Sequence, residues 1–388
     1  MKNVAIIMLG ISEWFGGAER QFADTYDSFQ KKKDKKINLF FIVDDLSMSH
    51  LNDVGKLKYK NNLIILPNFS KFSNKTKITL WTLLVLINIH RKRIDLLHIG
   101  LPSISYLPLL YLINLTPKFI FDTKLVFNAT GARVSHIYKN LPSRDAYKMY
   151  IDNIKFDGVF SWYEHFKKVF KNNKNFIKNN TQIVTAKYCF ANMEKFKPLP
   201  KENNIVWAAR LTDSKKPLMF IEAVYVFKSM YLNEVTRKWN FFMYGKGELE
   251  GEVSLKIEEY GLQDMISLRF TNMMNEVFGK SKCFVSTQEL ENFTSLSMLE
   301  AMASGNAILS RNVGQTEHFV KNGINGFLLH EDTAHNLAYY LNEFIMNYSE
   351  YRNMHVESEN IAKNIHNVDN FLNDIQSFWV SILRRYDK

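Results

Sequence analysis

Arg210 and Lys215 stand in the turn Arg210-Leu211-Thr212-Asp213-Ser214-Lys215-Lys216-Pro217, directly after the apolar run Ile205-Val206-Trp207-Ala208-Ala209. An Arg at a strand end offers a bidentate fork, and a Lys in the following turn offers a point charge. Together they can clamp a diphosphate. Lys216 is a second cation in the same turn. Further along, Glu291-Asn292-Phe293-Thr294-Ser295 follows the short apolar run Cys283-Phe284-Val285-Ser286 and leads into Leu296 to Ser304. A hydroxyl-rich turn entering a helix gathers free backbone N–H groups at the positive end of the helix dipole, which seats a phosphate or a sugar hydroxyl. Glu300, one turn inside, adds a carboxylate that can accept from both hydroxyls of a ribose diol.

These groups need elements to hold them. Asn292, Thr294 and Ser295 are the candidate caps of a helix over 296–304, and Gly305 suits the position after its end. Ile205–Ala209, Cys283–Ser286 and Ala307–Leu309 read as buried strands of a parallel sheet, as do Trp239–Tyr244 and Ile266–Phe270. In the first half, the strand Val4–Leu9 runs into Gly10-Ile11-Ser12-Glu13-Trp14-Phe15-Gly16-Gly17-Ala18-Glu19-Arg20 and then a helix to about Gln30. Glycines after a first strand let backbone approach a ligand. Further strands are expected at Asn38–Val43, Leu63–Leu66, Ile94–His98, Leu125–Ala129 and Gln182–Thr185, with a strand and a helix within Phe156–Phe170. Strand C-termini line the ligand crevice of open α/β sheets, which makes His98 and Thr130 candidate contacts, with a hydrogen-bonded structural role for His98 equally open.

Length and alternating elements give an α/β protein of two domains. The boundary is expected in the polar, proline-bearing stretch Asn192–Asn204, so the domains are 1–198 and 199–368, with a helix over 369–388 carrying Trp379. Two cysteines, Cys189 and Cys283, offer no disulfide framework or metal spacing and fit a reducing, cytoplasmic compartment. Ile78 to Ile89, the longest apolar run, is too short to span a bilayer as a helix. Charge is uneven: residues 1–200 hold 31 Lys/Arg and 15 Asp/Glu, residues 201–388 hold 19 and 24. The basic half reflects either an anionic partner (a membrane surface, a lipid diphosphate or nucleic acid) or a compositional bias toward Lys. Lys71 to Arg93, basic at both ends, reads either as a helix covering the sheet or as an interfacial helix at anionic headgroups.

The run Glu291–Leu329, with its Leu299-Glu300-Ala301-Met302-Ala303-Ser304-Gly305, resembles the donor-binding signature of the GT-B glycosyltransferases, family 4 (glycosyl transferases group 1), of the bacterial surface-polysaccharide type. So do Gly16-Gly17-Ala18-Glu19-Arg20, Arg210…Lys215 and Gly245-Lys246-Gly247. The resemblance implies two doubly wound Rossmann-like domains facing across a cleft, with the C-terminal helix crossing back to the first. It implies a retaining glycosyltransferase that moves a sugar from a nucleotide diphosphate sugar to a hydroxyl of a lipid-linked glycan or a lipopolysaccharide or capsule precursor.

Carried onto this sequence, the family's roles fall as follows. Arg210 and Lys215 hold the donor diphosphate, and Glu300 holds the ribose. Glu291 fills the first acidic position, although eight residues separate it from Glu300 where the family has seven; either the loop carries one extra residue or Asn292 takes that position. Gly16, Gly17, Gly245, Phe293, Thr294 and Ser295 line the donor, with Arg20 behind the glycines. Arg133 and His136 lie in the acceptor-side loop. Thr130 stands where many members carry His, implying a changed contact with the donor sugar.

No metal or other cofactor is expected, and no Asp-x-Asp motif is present. The expected partners are the nucleotide sugar, a glycan or lipid-linked acceptor and, through the basic first domain, the inner face of the cytoplasmic membrane, where the protein would be peripheral. Two other readings stay open. One is a nucleotide-sugar epimerase on the same fold, which would bring a constellation of acids into the cleft. The other is a basic nucleic-acid- or membrane-binding protein without catalysis. A nucleic-acid module interleaves basic and aromatic residues on one face, whereas the motifs here sit in turns, so no nucleic-acid partner is expected.

Overall fold

A computed structural model describes residues 1–388 except 11–16, 55–56, 102, 118–121, 131–142, 144, 172–176, 292, 294 and 386–388. The chain forms two compact units, one of Met1–Lys187 with Phe371–Lys388 and one of Tyr188–Asn370.

The first unit carries a seven-stranded parallel sheet. Its strands are β1 (Lys2–Met8), β2 (Ile37–Asp44), β3 (Leu63–Leu66), β4 (Leu96–Ile99), β5 (Lys124–Ala129), β6 (Phe156–Ser161) and β7 (Ile177–Thr185). They lie in the order β3-β2-β1-β4-β5-β6-β7. Continuous apolar runs such as Ala5-Ile6-Ile7 and Phe41-Ile42-Val43 are buried throughout, as strands covered on both faces require. The described helices are α1 (Gly17–Lys31), α2 (Asp45–Val54), α3 (Asn74–Arg91), α4 (Leu107–Leu115), α5 (Ala146–Asn153) and α6 (Glu164–Lys171). Lys71–Arg93 thus becomes α3, whose Trp81, Val85 and Ile89 are buried. The helix α4 was not anticipated.

The second unit carries β8 (Asn204–Ala208), β9 (Asn240–Tyr244), β10 (Ile266–Arg269), β11 (Cys283–Ser286), β12 (Ala307–Arg311) and β13 (Gly326–Leu329), ordered β10-β9-β8-β11-β12-β13, all parallel. Its helices are α7 (Pro217–Tyr231), α8 (Glu250–Glu259), α9 (Met274–Lys280), α10 (Leu296–Ala303), α11 (Ala334–Met346) and α12 (Asn353–Asn364). The core centres on Trp207, Phe220, Phe227, Phe241 and Phe344.

The stretch Asn192–Asn204 is not a free linker. Phe196 is buried beside Phe278, the Leu199 and Glu202 amides donate to Gly279 and Lys280, and the Lys201 ammonium donates to the carbonyls of Phe278, Ser281 and Ser304. It is a strap on the second unit that closes the C-terminal ends of α9 and α10, and the division falls earlier, at Lys187/Tyr188.

The last helix, α13 (Val368–Arg384), runs on into the first unit. Trp379 and Phe378 on its apolar stripe are buried against Phe29 and Phe160. The approach is close enough that a Cβ on Gly158 of β6 would meet Ile382 at 2.3 Å and Phe378 at 2.9 Å. Polar ties fix the register: the Lys36 amide donates to Gln376, the Lys187 amide to Asp374, and the Ser381 hydroxyl to Gln182.

Candidate functional site

In a doubly wound sheet the strand order reverses once, and the loops leaving the strands there splay apart to open a crevice. In the second unit the reversal lies between β8 and β11, which pair directly with Ile205 opposite Cys283 and Trp207 opposite Val285. The Arg210–Lys216 turn leaves β8 and the Thr287–Ser295 loop leaves β11. Both clusters singled out in the sequence therefore emerge at the same sheet edge, side by side.

Backbone and side-chain bonds join the two loops. The Trp207 indole N–H donates to the Thr287 hydroxyl at 2.8 Å, and that hydroxyl lies 2.8 Å and 2.9 Å from the carbonyls of Lys215 and Lys216, to which it donates. The Glu289 amide donates to Ser214 O at 3.0 Å. Lys216 takes a left-handed conformation, φ 48°, immediately before Pro217 opens α7. Its ammonium pairs with Asp213 at 3.0 Å, which spends that charge locally. The Lys215 ammonium donates to Gln288 Oε1 at 2.5 Å, while Gln288 Nε2 donates to Glu291 O. Burial first, then the neighbouring Arg210 charge, push the Lys215 pKa down to about 8. The Arg210 charge disfavours a second charge on Lys215, and an anion bound beside both would offset that. Arg210 itself is solvent-exposed.

Gly245 and Gly247 act on this turn from below. A Cβ at Gly245 would lie 1.9 Å from Ala209 O, and one at Gly247 would lie 2.4 Å from Leu211 O. The Leu211 amide donates to Lys246 O at 3.0 Å. Only glycine lets the two loops meet, so Gly245 sets the height of the Arg210 turn. Beside it the ring of Phe270 is exposed, with the Lys246 ammonium 4.6 Å from its centroid.

The acidic block is built differently from the sequence expectation. Ser295 caps α10, accepting from the Met298 amide, and Gly305 follows the helix with φ +67°. Glu300 is buried, 4% exposed, on the first turns of α10. Glu291 is also buried, and its Oε1 accepts from the amides of Phe293 and Gln315, both at 2.8 Å. Its carboxylate fills the space a side chain at Gly314 (φ +54°) would occupy. Glu291 thus clasps its own loop to the loop after β12. Phe293, expected to line a ligand, is instead buried, stacked on Phe319 at 5.2 Å and edge-on to His318 and His366. Its ring anchors the loop from beneath. Asn292 and Thr294 lie outside the described residues.

In the first unit the reversal lies between β1 and β4. The loop after β1 starts there: the Gly10 amide donates to Asp44 Oδ2 at 2.7 Å and the Leu9 amide donates to the Tyr106 hydroxyl. Gly17 begins α1, and Arg20 stands one turn on, 4.0 Å from Asp24. Gly16, Arg133 and His136 lie outside the described residues.

His98 takes the structural role and not the ligand contact. It is 0% exposed, ringed by Phe22, Phe160 and Trp379, and its Nδ1 accepts the Trp379 indole N–H at 3.0 Å. Burial drives its pKa down to about 3, so the ring is neutral. It braces the C-terminal helix and presents nothing to a ligand. Thr130, at the end of β5, is half-buried and shares a 2.9 Å hydrogen bond with the Tyr147 hydroxyl.

Sequence reasoning missed Gln288, Thr287 and Gln315. Nothing in a lone amide or hydroxyl distinguishes a bridge from a surface residue; only strand adjacency does. It also missed Arg311, whose guanidinium pairs with Asp332 and whose Nη1 donates to Thr287 O at 3.3 Å.

Comparison with known proteins gives these elements a family. Residues 190–360 match the model described as glycosyl transferases group 1. Over 136 residues the chain is 28% identical to the UDP-N-acetylglucosamine–peptide N-acetylglucosaminyltransferase GtfA subunit of Streptococcus gordonii, covering 35% of this chain and 26% of that one. The match thus spans about a quarter of that relative's length. In fold the chain is similar to Anabaena HepE in complex with UDP and glucose (TM-score 0.68, 14% identity, covering 98% of this chain and 100% of that one). It is also similar to a mutant of S. aureus TarM in complex with fondaparinux, α-GlcNAc-glycerol and UDP (TM-score 0.72, 12% identity, covering 99% and 100%). The two α/β units are those of the GT-B fold.

Proposed function

We propose that this protein, whose residues 190–360 match the glycosyl transferases group 1 family, moves a sugar from a nucleotide diphosphate sugar to a hydroxyl of a glycan or lipid-linked acceptor, retaining the anomeric configuration. The observation that carries this reading is the turn bearing Arg210 and Lys215 at the strand-order reversal, where Thr287 and Gln288 fix Lys215 and the exposed Arg210 stands close enough for its charge to bear on it. That is a socket for a diphosphate. UDP in the structurally similar HepE and TarM complexes favours a uridine donor. Glu300 on the buried face of α10 is the partner for the ribose diol, and the exposed Phe270 ring beside the Gly245 turn offers a face to the base.

In this mechanism the bond between the sugar C1 and the diphosphate oxygen breaks, and the acceptor oxygen bonds to C1 on the same face. The acceptor proton passes to the departing phosphate, so no protein base takes part. Arg210 and Lys215 stabilise the charge that builds on that phosphate. They act in place of a metal ion, and the reading includes no metal requirement. Glu291, locked by the Phe293 and Gln315 amides, shapes the sugar-side wall by holding two loops together. The acceptor is assigned to a cell-envelope glycan precursor on family habit and on the basic first half, which also favours peripheral placement at a membrane. Among the described residues no helix is long and apolar enough to cross one.

The test is a panel of UDP- and other nucleotide-sugars, scored by donor hydrolysis and by thermal shift, in EDTA. Stabilisation by a nucleoside diphosphate that disappears in Arg210→Ala supports the reading. An Arg210→Ala protein with full nucleotide affinity and turnover would sink it.

A further inference from the structure

The helix α4, Leu107-Pro108-Leu109-Leu110-Tyr111-Leu112-Ile113-Asn114-Leu115, has one polar residue. Leu107, Leu109, Leu110 and Ile113 are buried in the unit. The opposite side is equally apolar: Pro108, Tyr111, Leu112 and Leu115 follow the i, i+3, i+4, i+7 rule of a single helix face, and all are exposed, Leu115 by 79%. A helix apolar all round is stable where both sides meet apolar matter, and the sheet accounts for one side only. α3 packs beside it. Right-handed crossovers from β3 to β4 and from β4 to β5 set both helices on the same face of the sheet. The outward side of α3 adds Leu83 and Ile87, one turn apart, 55% and 40% exposed.

Charge decides what covers this face. Residues 71–115 contain Lys71, Lys75, Lys77, Arg91, Lys92 and Arg93 against the lone acid Asp95. The cations lie at the two ends of α3, about 27 Å apart at 1.5 Å per residue, with the leucines between. A second copy of the chain would bring like charges together. An anionic bilayer matches both features at once: headgroups meet the basic ends while the leucines enter the acyl boundary.

We propose that the outward faces of α3 and α4 dock on an anionic lipid bilayer. This deepens the membrane placement proposed above by naming the surface, and it stands on exposure and charge, so its failure would leave the transferase reading intact. Its test is flotation of the full chain with phosphatidylglycerol-containing vesicles, compared with pure phosphatidylcholine vesicles. Wild type should float with the former at low ionic strength and be released by salt. Leu112→Ser/Leu115→Ser should lose at least about tenfold in partitioning, the worth of one buried leucine. Leu83→Ser/Ile87→Ser on α3 is an independent second variant with the same expected loss. Replacing Lys71, Lys75 and Lys77 by Gln should weaken binding about fivefold per lysine and flatten the salt dependence. Thermal shift by UDP should be unchanged in every variant, which separates this proposal from the donor site. Failure of wild type to float, flotation indifferent to the leucine variants, or a wild-type dimer that those variants dissolve with flotation intact would each overturn it.

Discussion

At the strand-order reversal of the second unit, the side chains that leave the strand ends are cations and amides tied into one another: Lys215 to Gln288, Thr287 to the Lys215 carbonyl, Glu291 to the Gln315 amide. At the reversal of the first unit, the side chain of β4 turns inward. His98 is neutral, dry and spent on Trp379. The same topology therefore supplies a polar edge of cross-linked loops in one unit and a packing joint in the other. The difference lies in how the sheet is covered. In the first unit α13 lies where it needs a polar partner inside the core, and His98 serves it.

That contrast can be broken most severely at Trp379. Trp379→Ala empties a fully buried indole and strips His98 of its donor, and should cost about 3–5 kcal/mol. Measured by denaturant unfolding, the loss should fall on the first unit while UDP still protects the second. Equal loss in both units would show that the joint is not local.

Lys215→Ala attacks the other edge. It should lower turnover by roughly 10²–10³ with little change in Tm, because in the proposed reading the group it removes holds the donor diphosphate and not the core. A drop in Tm with turnover preserved would reverse the assignment of the two reversals.

Gly158→Ala is milder and returns to the first unit. Its methyl would press on Ile382 and Phe378, an overpacking worth about 1–3 kcal/mol. The substitution should be additive with Lys215→Ala in stability, since the two share no partner.

The smallest effect is graded by pH. Burial lowers His98 to about 3 in the first unit, and His355 and His366 each to about 4 in the second. The unfolded chain protonates these rings below about 6.5, and the folded chain resists until 3–4. Their contribution is present above pH 6.5 and is lost as pH falls toward 4, by up to about 1.4 kcal/mol per pH unit for each ring. With two such rings, the second unit should soften more steeply on acidification, read by fluorescence unfolding at a series of pH values. A flat profile would mean that the rings charge freely in the fold.

What the sequence disclosed follows the same division. Ile205–Ala208, Cys283–Ser286 and Ala307–Arg311 were legible because buried parallel strands need unbroken apolar runs, and Ser295 and Gly305 because helix ends need caps. The cations of the Arg210 turn were legible because charge beside a strand end is conspicuous. Gln288 was not: an amide gains its meaning only from the neighbouring loop, seventy-odd residues away in sequence. Phe293 misled, and His98 stayed open between two roles, because the same letter serves a ligand or a core, and burial alone separates the two. The helix α4 escaped because its outward face breaks the amphipathic pattern by which a surface helix is read.

The route of α13 bears on biogenesis. Residues 188–370 are contiguous and can condense as soon as they clear the ribosome, whereas the first unit waits. Its sheet face around Phe160 and Gly158 stays uncovered until the segment bearing Trp379 has been synthesised, after the whole of the other unit. The part made first is finished last, and in that interval it is the part that a chaperone would have to shelter.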